Sequence, residues 1–240
     1  MPRTFGVTYT FVGLGSFALL LLGGCAAGPS HEGIENVPMY GQPEIPRSEF
    51  TRKADEEFIA SATAGAGSRE KASEMWVTQG DNFLNSGNPD FATRRYNQSW
   101  LLNPTNYKSF WGFGRAMLEK GKFDESIKHF EHAMALIQDQ FQKPALLTDF
   151  GTAYSLKANS LRPSESGPRA YFFLLANKKF EEAIQLDSTY TNSLSSWAMS
   201  LYREGEYAQS WKKVKEAQRK NAALPPSFLR ALENRMPEPQ

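Results

Sequence analysis

Residues 75–104 read MWVTQGDNFLNSGNPDFATRRYNQSWLLNP. Trp76, Gly80 and Phe83 fall at helical spacing, and after Gly87 the residues Ala92 and Tyr96 do so again, with Pro104 closing the stretch. Apolar residues three and four apart describe one face of a helix, and a glycine between two such runs marks a turn. A single pair of this kind is an ordinary helical hairpin. The second copy decides the fold. Residues 110–138, FWGFGRAMLEKGKFDESIKHFEHAMALIQ, place Phe110, Gly114, Met117, Gly121, Phe123, Ser126, Phe130 and Ala133 in matching positions, one period further along.

This pattern resembles the tetratricopeptide repeat family, whose unit is a 34-residue helix-turn-helix. The resemblance continues, with interruptions. LLTDFGTAY (146–154) supplies Leu147, Gly151 and Tyr154, and FLLANKKFEEAIQLD (173–187) supplies Phe173, Ala176, Phe180 and Ala183. Between these halves NSLRPSESGP carries Pro163, Gly167 and Pro168, which forbid one continuous helix. The insert near 159–169 is therefore a loop, or two lengthened helices with a loop between. A fourth unit, with Trp197, Ala198, Leu201, Gly205, Tyr207, Ser210, Val214 and Ala217, precedes PPSFLRALENRM, where Phe228, Leu229 and Leu232 suit a capping helix. Pro89 stands where the family has an aromatic, and Gln138 and Ser188 stand where its closing proline would be.

The fold expected is all-α, a superhelical solenoid of about four helix pairs over residues 68–236. The repeats run about 73–106, 107–140, 144–190 and 191–224, with the cap at about 226–236. Gly80, Gly114 and Gly151 let paired helices approach, and Gly87, Gly121 and Gly205 suit the turns, where positive φ favours glycine. Residues 53–67, containing Phe58 and Ile59, are expected to form an N-terminal capping helix before Ser68 caps the first repeat.

The N-terminus has a different character. Arg3 is its one charge, residues 11–22 are almost wholly apolar, and small residues follow before Cys25, the single cysteine of the chain. With no second cysteine, no internal disulfide forms. A positive start, a short apolar run and small residues describe a secretory signal peptide. The alternative is an uncleaved membrane anchor. Leu22-Gly23-Gly24-Cys25 also resembles the lipobox of bacterial lipoproteins, which implies cleavage after residue 24 and acylation, including palmitate, at Cys25. From Cys25 to Arg52 the chain is rich in proline and glycine and reads as a flexible tether, of r.m.s. reach about 30 Å. Ala26 follows the cysteine in place of the aspartate associated with inner-membrane retention. The resemblance thus implies an outer-membrane lipoprotein facing the periplasm.

Composition narrows the function. Without residues 1–24 the chain has 26 basic and 26 acidic side chains, so no overall field favours nucleic acid. His129 and His132 flank Phe130 and Ala133 and read as solvated, with no third ligand at metal spacing. Adjacent Glu181 and Glu182 face different directions, and no nucleophile elbow, phosphate loop or dinucleotide fingerprint occurs. Neither catalysis, a metal nor a cofactor is expected. KKVKEAQRK (212–220) is a local basic face suited to solvent, anionic lipid or an acidic partner.

In the tetratricopeptide family the first helices line a concave face that holds peptides. By register this implies Val77, Asp81 and Asn85 in the first unit and Trp111, Arg115 and Leu118 in the second. Thr148, Thr152 and Ser155 follow in the third, and Ser195, Met199 and Tyr202 in the fourth. One subgroup grips C-terminal carboxylates with lysines and asparagines at such positions. Here Val77, Trp111 and the threonines replace them and Asp81 repels an anion, so hydrophobic or mixed peptide recognition is expected. The implied role is a non-catalytic scaffold in assembly of an envelope complex, as for pilus, secretion-channel or cell-wall machinery. The alternatives are a cell-wall-modifying enzyme, which needs groove carboxylates of which only Asp81 is evident, and a structural spacer.

Overall fold

The computed structural model describes residues 33–42 and 45–239. These form two short 3-10 turns, Ile34–Asn36 and Pro38–Gly41, and ten α-helices; no strand occurs among the described residues. α1 is Glu49–Ala66. The first helix pair is α2 (Arg69–Asn85) and α3 (Pro89–Leu102), the second α4 (Tyr107–Glu119) and α5 (Phe123–Leu136). The third is α6 (Lys143–Ser160) and α7 (Ser166–Leu186), the fourth α8 (Asn192–Glu204) and α9 (Tyr207–Arg219), and α10 (Pro226–Glu233) closes the array. Each helix packs on its pair partner and on the next unit, while α2, α4, α6 and α8 also meet in sequence. This is the all-α solenoid that the repeated spacing predicts.

The pairs interlock through rings seated on glycines. A Cβ built on Gly80 lies 2.4 Å from Cε1 of Tyr96, and one built on Gly112, in the next unit, lies equally close to the same ring. Tyr96 is fully buried between two helices that can approach only because both positions lack side chains. Phe130 sits on Gly114 and Phe180 on Gly151 in the same way, with distances of 2.8 and 3.0 Å to the built Cβ. In two units the second helix also fastens to the first by a hydroxyl: Ser126 Oγ donates to the Gly114 carbonyl and Ser210 Oγ to that of Ala198, both at 2.8 Å. One core cluster runs from the first unit through α7, and a second, containing Ala198, Trp211, Val214, Phe228 and Leu232, closes the C-terminal end.

The departures from the family pattern have local explanations. Pro89 takes the first turn of α3, where its missing N–H costs nothing. Units two and three close without proline because aspartates organise the turns. Asp139 Oδ1 accepts from the amides of Phe141 and Gln142, and Asp187 Oδ1 from that of Thr189 at 2.8 Å. The insert consists of two lengthened helices, of 18 and 21 residues, joined by a short loop. Gly167 and Pro168 lie within the first turn of α7.

The N-terminal region differs from expectation. Residues 33–42, assigned by composition to a free tether, pack on α3, where the side chain of Asn97 bonds to their backbone. α1 begins at Glu49, inside the expected tether, with Ser48 Oγ accepting from the Thr51 amide. Phe58 and Ile59 pack on the main core as expected of a cap, and Phe58 meets Trp76 edge-on at 5.4 Å. The expected signal peptide, Cys25 and the start of the expected tether lie outside the described residues.

Gly→Ala substitutions should grade the ring-on-glycine contacts. Gly80→Ala and Gly112→Ala are expected to destabilise by about 1–3 kcal/mol through overpacking, and Gly151→Ala by less. Urea unfolding of the three variants checks the order.

Candidate functional site

Arg115 of α4 joins the first helices of three successive units. Its guanidinium donates to Asp81 Oδ1 of α2 at 3.0 Å, reaches Asn85 Oδ1 at 3.4 Å, and lies 3.9 Å from Asp149 Oδ2 of α6. Asp81 Oδ1 also accepts from the hydroxyl of Tyr96 at 2.8 Å, so the core ring and the surface cation share one oxygen. One turn earlier on α4, the Trp111 indole N–H donates to Asp149 Oδ2 at 2.8 Å. Three consecutive first helices are therefore tied by one arginine and one tryptophan.

Two clefts flank this hub. One, of about 270 Å³, is lined by Val77, Asp81, Trp111, Arg115 and the Glu74–Lys108 pair, whose charged atoms are 2.6 Å apart. The other, of about 410 Å³, is lined by Leu84, Asn85, Arg115, Leu118, Glu119 and Asp149. Arg115 belongs to both. Just over a third of the Asp149 side chain is open, 37%, yet the surrounding protein desolvates its carboxyl and pushes its pKa up. Trp111 and Arg115 oppose that rise and Asp81 reinforces it. Tyr190, raised chiefly by burial, also feels the charges of Asp149 and Arg115.

The expected groove positions divide unit by unit. In units one and two Asp81, Asn85, Trp111, Arg115 and Leu118 line the clefts, as does Val77, though buried. Asp81 does not stand as a lone repelling charge, because Arg115 pairs with it. In unit three the expectation fails for two residues. Thr148 is buried, bonding the Pro144 carbonyl and Ser193 Oγ at 2.8 and 2.7 Å, and Ser155 is fully buried. Thr152 is half-buried and donates to the Thr148 carbonyl. Asp149 faces the cleft instead. Thr78 and Gly112, two residues before the unit glycines Gly80 and Gly114, line the first cleft, and Asp149 holds that place before Gly151. Reading that column would have found it.

In unit four the wall is occupied by the cap. Ser195 is buried and donates to the Ala223 carbonyl at 2.9 Å. Met199 and Tyr202 line a different cleft with Phe228 of α10, and the rings of Tyr202 and Phe228 meet edge-on at 5.9 Å. The candidate site therefore spans units one to three.

The histidines also need correction. His132 is exposed against the edge of Phe110, but His129 packs on Phe113 with its Nδ1 buried and without a partner. Burial, with smaller contributions from His132 and Lys128, lowers its pKa to about 4. Among the described residues no cluster of three or more His, Cys, Asp or Glu suits a metal.

No protein-family model and no curated relative matches the chain. Among solved structures, the crystal structure of MamA superposes with a TM-score of 0.48 at 15% identity, over 74% of this chain and 96% of MamA. At that distance the likeness adds nothing to what the helices show directly.

Folding keeps His129 neutral, so between pH 6.5 and about 4 the unfolded chain binds more protons than the folded one. Stability is thus lost as pH falls through this window, by up to about 2–3 kcal/mol. His129→Leu should flatten that part of the slope in urea titrations at pH 6.5, 5.5 and 4.5.

Proposed function

We propose that the chain is a non-catalytic scaffold whose site around Arg115 holds a peptide segment of a protein partner, and that acylated Cys25 anchors it to the periplasmic face of the outer membrane. The tie of α2, α4 and α6 through Arg115 and Trp111 carries the groove reading. A tryptophan and an arginine held by partners on neighbouring helices enter an interface already ordered, so little side-chain freedom remains to be lost on binding. The mixed lining, with Val77 and Leu118 beside Asp81, Asn85 and Asp149, suits an extended or helical peptide presenting both apolar and polar groups.

The membrane reading rests on Leu22-Gly23-Gly24-Cys25 and the apolar run before it. Two or more acyl chains give stable attachment where one is marginal. A domain held this way gathers its partner at the envelope, which is the work of an assembly adaptor. Asp149 adds a groove carboxylate that an enzyme would need, but its inner oxygen is committed to Trp111.

Affinity capture from solubilised envelopes tests the groove. Trp111→Ala with Arg115→Ala should cost at least tenfold in recovery of the partner, whereas a change at exposed Gln138 should cost nothing, since anchors of these types each contribute about 2 kcal/mol or more. An unchanged partner list would end the groove reading. Mass spectrometry of the mature protein tests the anchor separately: it should begin at Cys25 carrying acyl chains.

A further inference from the structure

We infer that the face of α3 around Asn97 is a dedicated docking site for the chain's own residues 33–42, a latch that fixes where the chain leaves the solenoid. Asn97 is fully buried, and among the described residues its side-chain hydrogen bonds are all made to that segment's backbone. Its Nδ2 donates to the carbonyls of Glu35 and Val37 at 3.0 and 2.9 Å, and its Oδ1 accepts from the Tyr40 amide at 3.2 Å. An amide that donates twice and accepts once from a single short stretch has no comparable partner if the stretch departs. The bonds within α3 itself do not need this side chain.

The surroundings complete the site. Arg94 Nε donates to Asn36 Oδ1 at 2.8 Å, and its guanidinium pairs with Glu35 at 3.2 Å. Arg47 lies over the rings of both Tyr40 and Trp100 while bonding Asp55 of α1 at 2.8 Å. The segment adopts a costly shape to fit: Met39, Tyr40 and Gly41 run in the left-handed region at φ 57°, 52° and 68°. Non-glycine residues hold that conformation only where their surroundings over-determine it. The contacts on α3 therefore select the bound shape, which a free proline- and glycine-rich tether has no reason to adopt.

The consequence concerns reach, and rests on Cys25 being the attachment point. With residues 33–42 released and α1 starting at Glu49, 23 residues, 26–48, separate Cys25 from the domain. With the latch closed, seven do, and the eight steps from Cys25 to Gly33 span at most about 28 Å. The latch holds the domain close to the membrane, and its release lets the domain travel several times further.

Hydrogen exchange on the full chain tests the docking. The bonded amides of Asn36, Val37, Tyr40 and Gln42 should exchange at least about tenfold more slowly than an unstructured chain. Asn97→Ala should bring them to the free-chain rate while α4 and α5 keep their protection. Tyr40→Pro, which acts on the segment rather than on α3 by removing the donated N–H and forbidding the left-handed φ, should do the same. Free-chain exchange in the unaltered protein, or protection surviving both substitutions, overturns the latch. On vesicles, a donor dye at exposed Ser160→Cys and an acceptor lipid report the distance: transfer should fall in both released variants, and unchanged transfer overturns the shortened link. Failure of the chain to associate with vesicles at all would instead refute attachment through Cys25 and the shortened link with it, the exchange result still deciding the docking.

Discussion

The ring of Tyr96, clasped between Gly80 of its own unit and Gly112 of the next, is the contact on which the solenoid depends. A glycine inside a helix costs about 1 kcal/mol relative to alanine, and this chain accepts that cost twice for one side chain. The return is close approach of α2, α3 and α4 around a fully buried ring whose hydroxyl still reaches Asp81. Because Asp81 in turn holds Arg115, the packing of the core sets the geometry of the side chains around Arg115. Core and candidate site are one connected structure: the ring fixes the carboxylate, and the carboxylate fixes the cation.

Much of this was legible in the sequence, for a physical reason. Helix pairs that cannot bury their faces alone must repeat the same small-large matching, so the spacing of Gly80, Tyr96, Gly114 and Phe130 reports the stacking directly. The turns at Gly87, Gly121 and Gly205 were legible too, and all three adopt positive φ. What escaped was information that repetition does not carry. Thr148 and Ser155 stand at the same offsets from Gly151 as Trp111 and Leu118 do from Gly114, yet both are buried and Asp149 faces the cleft, so spacing alone misplaced them. The histidines were placed outward by spacing alone, although His129 lies against Phe113. Composition identified residues 33–42 as neither helix nor strand, which is correct apart from two short turns, yet it says nothing of where such a segment docks. Only the buried Asn97, a polar residue in a helix with no pairing rule of its own, marks the place.

Two surfaces of the array thus carry different tasks. The first helices present Trp111 and Arg115 in a prepared setting, and α3 on the second-helix layer receives the chain's own lead-in. Met199 and Tyr202 of the fourth unit line a separate cleft with Phe228 of α10, apart from the hub that Arg115 and Trp111 tie across units one to three.

The central claim is that Gly112 exists to admit the Tyr96 ring, and a double-mutant cycle in urea measures it most directly. In the unaltered background Gly112→Ala opposes the ring and destabilises. In a Tyr96→Leu background the account predicts that the same substitution becomes neutral or stabilising, because alanine is the better helix former once the ring is gone. An equal cost in both backgrounds would contradict it.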